Sequence, residues 1–360
     1  MRLYSYGYRR RGVGAYCTRV ATALLPHLRQ DNIYIWGNPD LLPESLRSDN
    51  ITIISYRSGS WKHSIVSIPY IVVQHHIDLI HYWIALGPLH AIGLSPVPLA
   101  PAIATVHDLG VENWDTPYGN AVKKRPFWKM QKMFLSTVDG VQCNSIATCD
   151  NLRPFFKKPA PGIVVYPPYI QRPEPVQLQP KNREHFFITL GGSPHKNGAR
   201  TIAAFLKFRK LFPRYTLKIL GDINPEEEHL TDLPAGVVHE PHMKNYLTYL
   251  NTCSGLLCLS LNEGLGIPPL EALDHSCPLL LSSIPSHHET CNDAALFANP
   301  NNQEEIAERM IELVKNNDHY VRMSRQGAGK YQQLATESIS NCLTLYRHFI
   351  PGSISRKTMG

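Results

Sequence analysis

Short apolar runs recur along the whole chain, separated by stretches with helical spacing. In the first half the runs at 33–36, 51–55, 79–82, 102–106, 140–143 and 162–166 read as strands. In the second half the same reading falls on 185–190, 216–220, 236–239, 255–261 and 279–282. Helical spacing marks 16–28, 199–211 and 303–315, and 336–349 reads as a helix with no strand beside it. Strands apolar on both faces, alternating with helices, argue for buried parallel α/β sheets. Two such halves predict two doubly wound domains. The proline-dense stretch 154–180 separates them, because proline stiffens a linker and stops helices. The expected division is 1–170, 171–335, and a tail of 336–360 whose helix packs back on the first domain. The apolar stretch 64–73 is too short to span a bilayer and reads as core.

The densest chemistry lies at 262–273, Asn-Glu-Gly-Leu-Gly-Ile-Pro-Pro-Leu-Glu-Ala-Leu. A buried strand runs into Gly264 and Gly266, then into a helix opened by Pro268 and Pro269, where a missing N–H costs nothing. A strand, a glycine loop and a helix N-terminus make an anion site at the carboxyl end of a parallel sheet. Glu263 and Glu271 flank that site, so each can bind hydroxyls at one end of a phosphate ligand, the layout of a sugar nucleotide. Residues 190–198 repeat the strand-loop-helix plan with a cation, Lys196, preceded by Gly191, Gly192 and Ser193. A third glycine loop, Gly12-Val13-Gly14, follows the basic run Arg9-Arg10-Arg11, and His107 and Asp108 close the strand-like run at 102–106.

Composition narrows the ligand. The 36 basic and 29 acidic side chains leave a formal charge of +7, which favours anionic ligands or an anionic surface. No zinc-finger spacing or RNA-binding aromatic motif occurs, so nucleic acid is not the expected partner. The eight cysteines form no Cys-x-x-Cys pair, which suits a reduced compartment. Neither a signal-peptide core nor a run long enough to cross a membrane is found, so a cytoplasmic protein is expected. Seventeen histidines invite a metal reading. The pairs His75-His76 and His287-His288 are sequence neighbours that point apart, and neither His-Glu-x-x-His nor Asp-x-Asp occurs, so no metal and no cofactor are expected.

Taken in order, these segments resemble the retaining GT-B glycosyltransferases of family four over nearly the whole chain. Gly12–Tyr16 is similar to the family's N-terminal glycine loop, and 105–109 to the strand whose histidine lies beside the donor sugar. Residues 144–148 are similar to its serine-rich turn, 191–197 to its diphosphate loop, and Glu263 with Glu271 to its glutamate-seven-residues-glutamate signature. Residues 293–297 with Pro300 are similar to the segment that follows. The resemblance implies two Rossmann-like domains with a C-terminal helix crossing back. It implies that Glu263 binds donor sugar hydroxyls, with Leu265 and Gly266 adding backbone N–H groups. Glu271 would bind the ribose, Lys196 the leaving diphosphate, Gly14 the same diphosphate from the first domain, and His107 the sugar. Ser193 falls in the diphosphate loop.

Two departures stand out. The family's diphosphate loop carries an arginine shortly before the lysine, where this chain has Ser193, Pro194 and His195; one of Arg9–Arg11 is a candidate substitute, or a contact for a phosphorylated acceptor. The family's later proline-glutamate is His288-Glu289, an expected change at the edge of the donor pocket. The implied activity is metal-independent, retaining transfer of a hexosyl group, mannose from GDP-mannose as first choice, to a hydroxyl of a glycan, lipid-linked or small-molecule acceptor. The basic charge favours an acceptor at the inner face of a membrane. Two other readings fit the same residues: a non-catalytic GT-B nucleotide-binding scaffold, favoured by the missing arginine, and a sugar-nucleotide epimerase.

Overall fold

The structure, a computed structural model, describes residues 12–37, 46–55, 70–83, 100–108, 135–153, 162–169, 183–192, 194–223 and 233–350. The chain divides into two compact units, Met1–Pro168 with Leu334–Gly360, and Tyr169–Gln333.

The first unit opens with α1 (Gly12–Leu24), prolonged by a 3-10 turn at Leu25–His27. Two parallel strands, β1 (Ile33–Gly37) and β2 (Ile51–Ser55), pair with each other. A second sheet holds β3 (Ile80–Tyr82), β4 (Ala102–Val106), β5 (Gly140–Cys143) and β6 (Gly162–Val164) in that spatial order, all parallel. β4 and β5 are buried along their whole length, which is why they are mostly apolar rather than alternating, with Thr105 and Gln142 as buried polar members. Ala104, Val106, Val141 and Cys143 pack there with Leu152 from α2 (Ile146–Leu152), a helix capped by the Ser145 hydroxyl, which accepts the Thr148 N–H at 3.0 Å.

The second unit is one six-stranded parallel sheet with helices between its strands. In chain order it contains β7 (Glu184–Gly192), α3 (Gly198–Arg209), β8 (Thr216–Ile223), β9 (Val237–Glu240), α4 (Tyr246–Thr252), β10 (Cys253–Cys258), α5 (Ile267–Asp274), β11 (Leu279–Ser282), α6 (Pro285–Cys291), β12 (Leu296–Ala298) and α7 (Gln303–Lys315). The spatial order is β12-β11-β10-β7-β8-β9. Phe187, Leu217, Ile219, Leu257 and Leu280 from the strands meet Phe205 and Phe208 of α3 and Met310 and Leu313 of α7 in one core.

A single helix, α8 (Asn317–Phe349), ends the described chain. Its residues from Leu334 onward belong to the first unit, where Tyr346 places its hydroxyl 2.5 Å from His81 Nδ1 and Cys342 donates to Gln142 Oε1 at 3.2 Å. His81 Nε2 lies 2.8 Å from Thr105 Oγ1, so both ring nitrogens are paired, and burial drives the imidazole pKa down to about 3. All eight cysteines are free thiols, and only Cys149 is not fully buried. Among the described residues no helix is long and apolar enough to cross a membrane.

The sequence reading differs from the structure at several elements. The helix expected at 336–349 begins at Asn317, and the one expected at 16–28 begins at Gly12 and ends at Leu24. The strand expected at 255–261 is Cys253–Cys258, and its last three residues are loop. β12, α4 and α6 were not anticipated. Most of the stretch 64–73 lies outside the described residues.

Candidate functional site

In the second unit the chain moves outward from β7 through β8 to β9, then returns to lay β10 on the other side of β7. The loops after β7 and β10 therefore leave the same sheet end in opposite directions. That divergence is the switch point at which open parallel sheets bind ligands. Both glycine loops singled out in the sequence are these two loops.

The loop after β7 makes a 3-10 turn, Pro194–Lys196, before α3 begins. Asn197 fixes this turn. It sits in the left-handed region at φ 63°, which asparagine tolerates better than most residues, and its side chain is buried. Its amide donates to the Leu259 carbonyl at 3.0 Å and the Pro300 carbonyl at 2.7 Å, and its side-chain oxygen accepts from Arg200 at 3.0 Å. The Leu261 N–H donates to the His195 carbonyl at 2.8 Å. Four hydrogen bonds thus hold the Lys196 turn, three of them to the segments after β10 and β12. Gly191 has no room for a side chain, because a Cβ there would strike the Asp222 carbonyl.

These constraints bring Lys196 and Glu263 together, although 66 residues separate them in sequence. Lys196 Nζ donates to Glu263 Oε1 at 2.5 Å, and the Ser260 hydroxyl donates to the same oxygen at 2.7 Å. Both charged side chains are half-buried. Burial alone would push the Glu263 pKa up; the Lys196 charge, then His195, the Lys196 hydrogen bond and His287 outweigh it and bring the carboxyl to about 2. Glu263 is therefore an ionised, acceptor-only group at neutral pH.

The turn from Glu263 into α5 passes through Gly266, whose φ of 86° and ψ of 68° lie in the left-handed region. Leu265 and Gly266 are buried, and Pro268 and Pro269 occupy the first helical turn. Glu271 is half-buried one turn on. The Tyr246 phenol is held well above its usual pKa by burial first and by the adjacent Glu271 carboxylate second. His287, from α6, lies beneath the loop: a Cβ on Gly266 would come within 3.1 Å of its ring. His288 instead stacks on Phe297 with centroids 4.0 Å apart and bonds Ser283 at 2.9 Å.

In the first unit, three crest residues follow three adjacent strands: Trp83 after β3, His107 after β4 and Asn144 after β5. His107 Nε2 donates to the Trp83 carbonyl at 2.8 Å, and the Asn144 amide donates to the His107 carbonyl at 2.7 Å. The Tyr16 ring meets the imidazole edge-on at 4.8 Å. Burial lowers the His107 pKa, opposed by the Trp83 carbonyl and by Asp108. With Nε2 committed to Trp83, Nδ1 is the nitrogen this neutral histidine has to offer. Gly14 belongs to the opening turn of α1, not to a loop ahead of it, because the helix starts two residues earlier.

Arg9, Arg10, Arg11 and Ser193 lie outside the described residues. Sequence reasoning paired neither Lys196 with Glu263 nor either with Ser260, and it missed Asn197 and His287. The left-handed Asn197 carries a usable signal, an asparagine directly before a helix; His287 carries none. Among the described residues no three His, Cys, Asp or Glu side chains gather as a metal site.

Known proteins share this architecture. The family described as glycosyl transferases group 1 matches residues 171–330, and that described as glycosyltransferase family 4 matches residues 11–170. An O-antigen chain mannosyltransferase of Salmonella typhimurium, RfbU, is 31% identical over 140 residues, a stretch that spans 35% of this chain and only 37% of that protein. Among solved structures, a sucrose-phosphate synthase from Thermosynechococcus elongatus aligns with TM-score 0.73 at 16% identity, covering 96% of this chain and 98% of its own. HepE from Anabaena, in complex with UDP and glucose, aligns with TM-score 0.68 at 16% identity over 96% of this chain and 99% of its own. At such identities the structures speak for the fold, while the two family matches run end to end across both units, and on them the chain belongs to the GT-B glycosyltransferases of the family-4 type.

Proposed function

We propose that this chain is a retaining hexosyltransferase that moves a sugar, mannose from GDP-mannose as first choice, from a nucleotide-diphosphate donor to a hydroxyl acceptor. The carrying observation is the Lys196–Glu263 pair at the switch point of the second sheet. One cation and one carboxylate neutralise each other at the place where a sugar diphosphate would present one anion and several hydroxyls. A donor divides the pair: the diphosphate takes Lys196, and sugar hydroxyls donate to the ionised Glu263. Leu265 and Gly266 contribute backbone N–H groups at the start of α5, and Glu271 takes the ribose hydroxyls. As the anomeric bond breaks, charge grows on the diphosphate. Lys196 then binds the transition state more tightly than the ground state.

Retention fits attack from the face the leaving group departs, with a phosphate oxygen receiving the acceptor proton, so no side-chain nucleophile is required. Lys196 supplies the countercharge that lets this chemistry run without a metal or other cofactor. By the family resemblance, Gly14 serves the diphosphate and His107 the sugar. The likeness to an O-antigen chain mannosyltransferase favours mannose and a growing polysaccharide or lipid-linked glycan as acceptor. The formal charge of +7 favours peripheral binding at the cytoplasmic face of a membrane.

The test is thermal stabilisation by GDP, UDP, dTDP and ADP and their sugar forms, with and without added metal. A ligand that binds only the folded state raises stability by mass action. A selective shift with GDP and GDP-mannose, lost in Glu271→Ala and unaffected by chelator, is the expected result. No shift with any nucleotide at millimolar concentration overturns the reading.

A further inference from the structure

The imidazole of His287 is completely buried in the second unit, and among the described residues one of its nitrogens has no hydrogen-bond partner. Its Nδ1 lies 3.1 Å from both the hydroxyl and the backbone carbonyl of Ser282, the last residue of β11. A carbonyl only accepts, so the bond to it places the proton on Nδ1 and leaves Nε2 as a bare lone pair. The Nε2–Cδ2 side of the ring lies against the loop from Glu263 into α5: a Cβ built on Gly266 would stand 3.2 Å from Nε2 and 3.1 Å from Cδ2. Burial drives the imidazole pKa down to about 4, while Glu263 pulls it up and Lys196 and His288 push it down. The ring is therefore neutral at neutral pH, flat, and held by a neighbouring strand. Buried polar atoms are nearly always paired, so an unpaired one calls for an explanation.

We propose that His287 is a positioning residue for the sugar end of the donor: its ring edge is the floor on which the left-handed turn at Gly266 rests. Through Ser282 the ring ties this turn to the end of β11, and it keeps the N–H groups of Leu265 and Gly266 and the carboxylate of Glu263 at fixed places along the loop. A Cβ at 266 would press on the ring closely enough that one of the two must give by a few tenths of an ångström, a constraint that adds to the positive φ. This assignment rests on the donor-site reading above. In that reading Lys196 and Glu271 hold the diphosphate and ribose, while Glu263, Leu265 and Gly266 hold the sugar. Moving the floor should therefore affect the sugar and spare the nucleotide.

The experiment compares the affinities of GDP-mannose and GDP, and of UDP-glucose and UDP, in the full chain and in His287→Leu, which keeps the ring's volume but not its shape or lone pair. The expected result is a loss of about tenfold for the sugar nucleotide the wild type binds, with the bare diphosphate changed less than twofold. A general weakening of the fold would lower both. His287→Gln, which keeps a polar side chain in the same place, should show the same selective loss to a smaller degree, which keeps the proposal testable should His287→Leu not fold. Equal losses for sugar nucleotide and diphosphate, or no loss in either variant, overturn the role of His287. Failure of the wild type to bind any of the four ligands overturns the donor-site reading and this assignment with it.

Discussion

Around His107 one parallel sheet ends in a neutral hydrogen-bonded network, whereas around Lys196 the other ends in opposed charges held by left-handed turns. Trp83, His107 and Asn144 bond one another through backbone carbonyls, and burial keeps the imidazole uncharged. Lys196, Glu263 and Ser260 bond one another through side chains, on loops shaped by Asn197 and Gly266. A neutral network of that kind presents shape and a few fixed polar atoms. A charged pair is an arrangement that an incoming ligand can take apart and replace. The contrast separates a surface that positions from one that exchanges charge.

The sharpest attack on this contrast is Lys196→Ala. Loss of a charge-assisted bond to phosphate is worth about 1.5–3 kcal/mol, so kcat/KM should fall roughly 10- to 150-fold. Unchanged turnover in a steady-state assay would remove the charge-exchange half of the comparison. Next comes Tyr346→Phe in the first unit, which leaves His81 Nδ1 buried without its partner. Unfolding of that unit should become easier by about 1–2 kcal/mol in a denaturant titration. Donor affinity should stay the same, and a parallel loss of affinity would blur the two roles.

A pH titration of stability sharpens the comparison further. His81 and His287 have folded-state pKa values of about 3 and about 4, below the ordinary histidine value of 6.5. Between these limits the unfolded chain binds protons that the folded chain refuses, so their contribution is whole above about 6.5 and declines on acidification. The limiting slope is about 1.4 kcal/mol per pH unit for each histidine. Glu263, depressed from 4.5 to about 2, contributes above 4.5 and loses that contribution only below it. Stability measured by denaturant at pH 7, 6 and 5 should therefore fall before Glu263 begins to titrate; a flat profile down to pH 5 contradicts the buried neutral histidines. The smallest effect sets the scale. Lys207 and Glu304 form an exposed ion pair at 2.5 Å, and Lys207→Ala should change stability by less than about 1 kcal/mol.

Much of this was legible from the pattern of apolar runs. β4, β5 and β11 fall where the sequence placed them, because a strand buried on both faces is predominantly apolar; β2 does too, although Thr52 is exposed. The early turns of α8 were not legible. They contain Gly327 and Gly329, which lower helix propensity, and the reason for Gly327 is distant: a Cβ there would strike Ala294. α1 was cut short for a related reason, since Gly12 and Gly14 read as a loop although both are helical. β12 has three residues, too few for a periodicity. At the site, glycines and charges announced the two loops, because they are the residues such loops require. Their pairing was invisible, since adjacency of β7 and β10 is a property of strand order and not of any local spacing. His287 was invisible for the same reason.

The buried thiols carry a practical consequence. A thiol reagent meets little more than Cys149 on the folded surface, so the other seven cysteines react only when the chain around them opens. Cys17, Cys143 and Cys342 belong to the first unit, and Cys253, Cys258, Cys277 and Cys291 to the second. Labelling followed by peptide mapping would therefore time the breathing of each half separately, in the unmodified protein, and would show which half a bound nucleotide quiets.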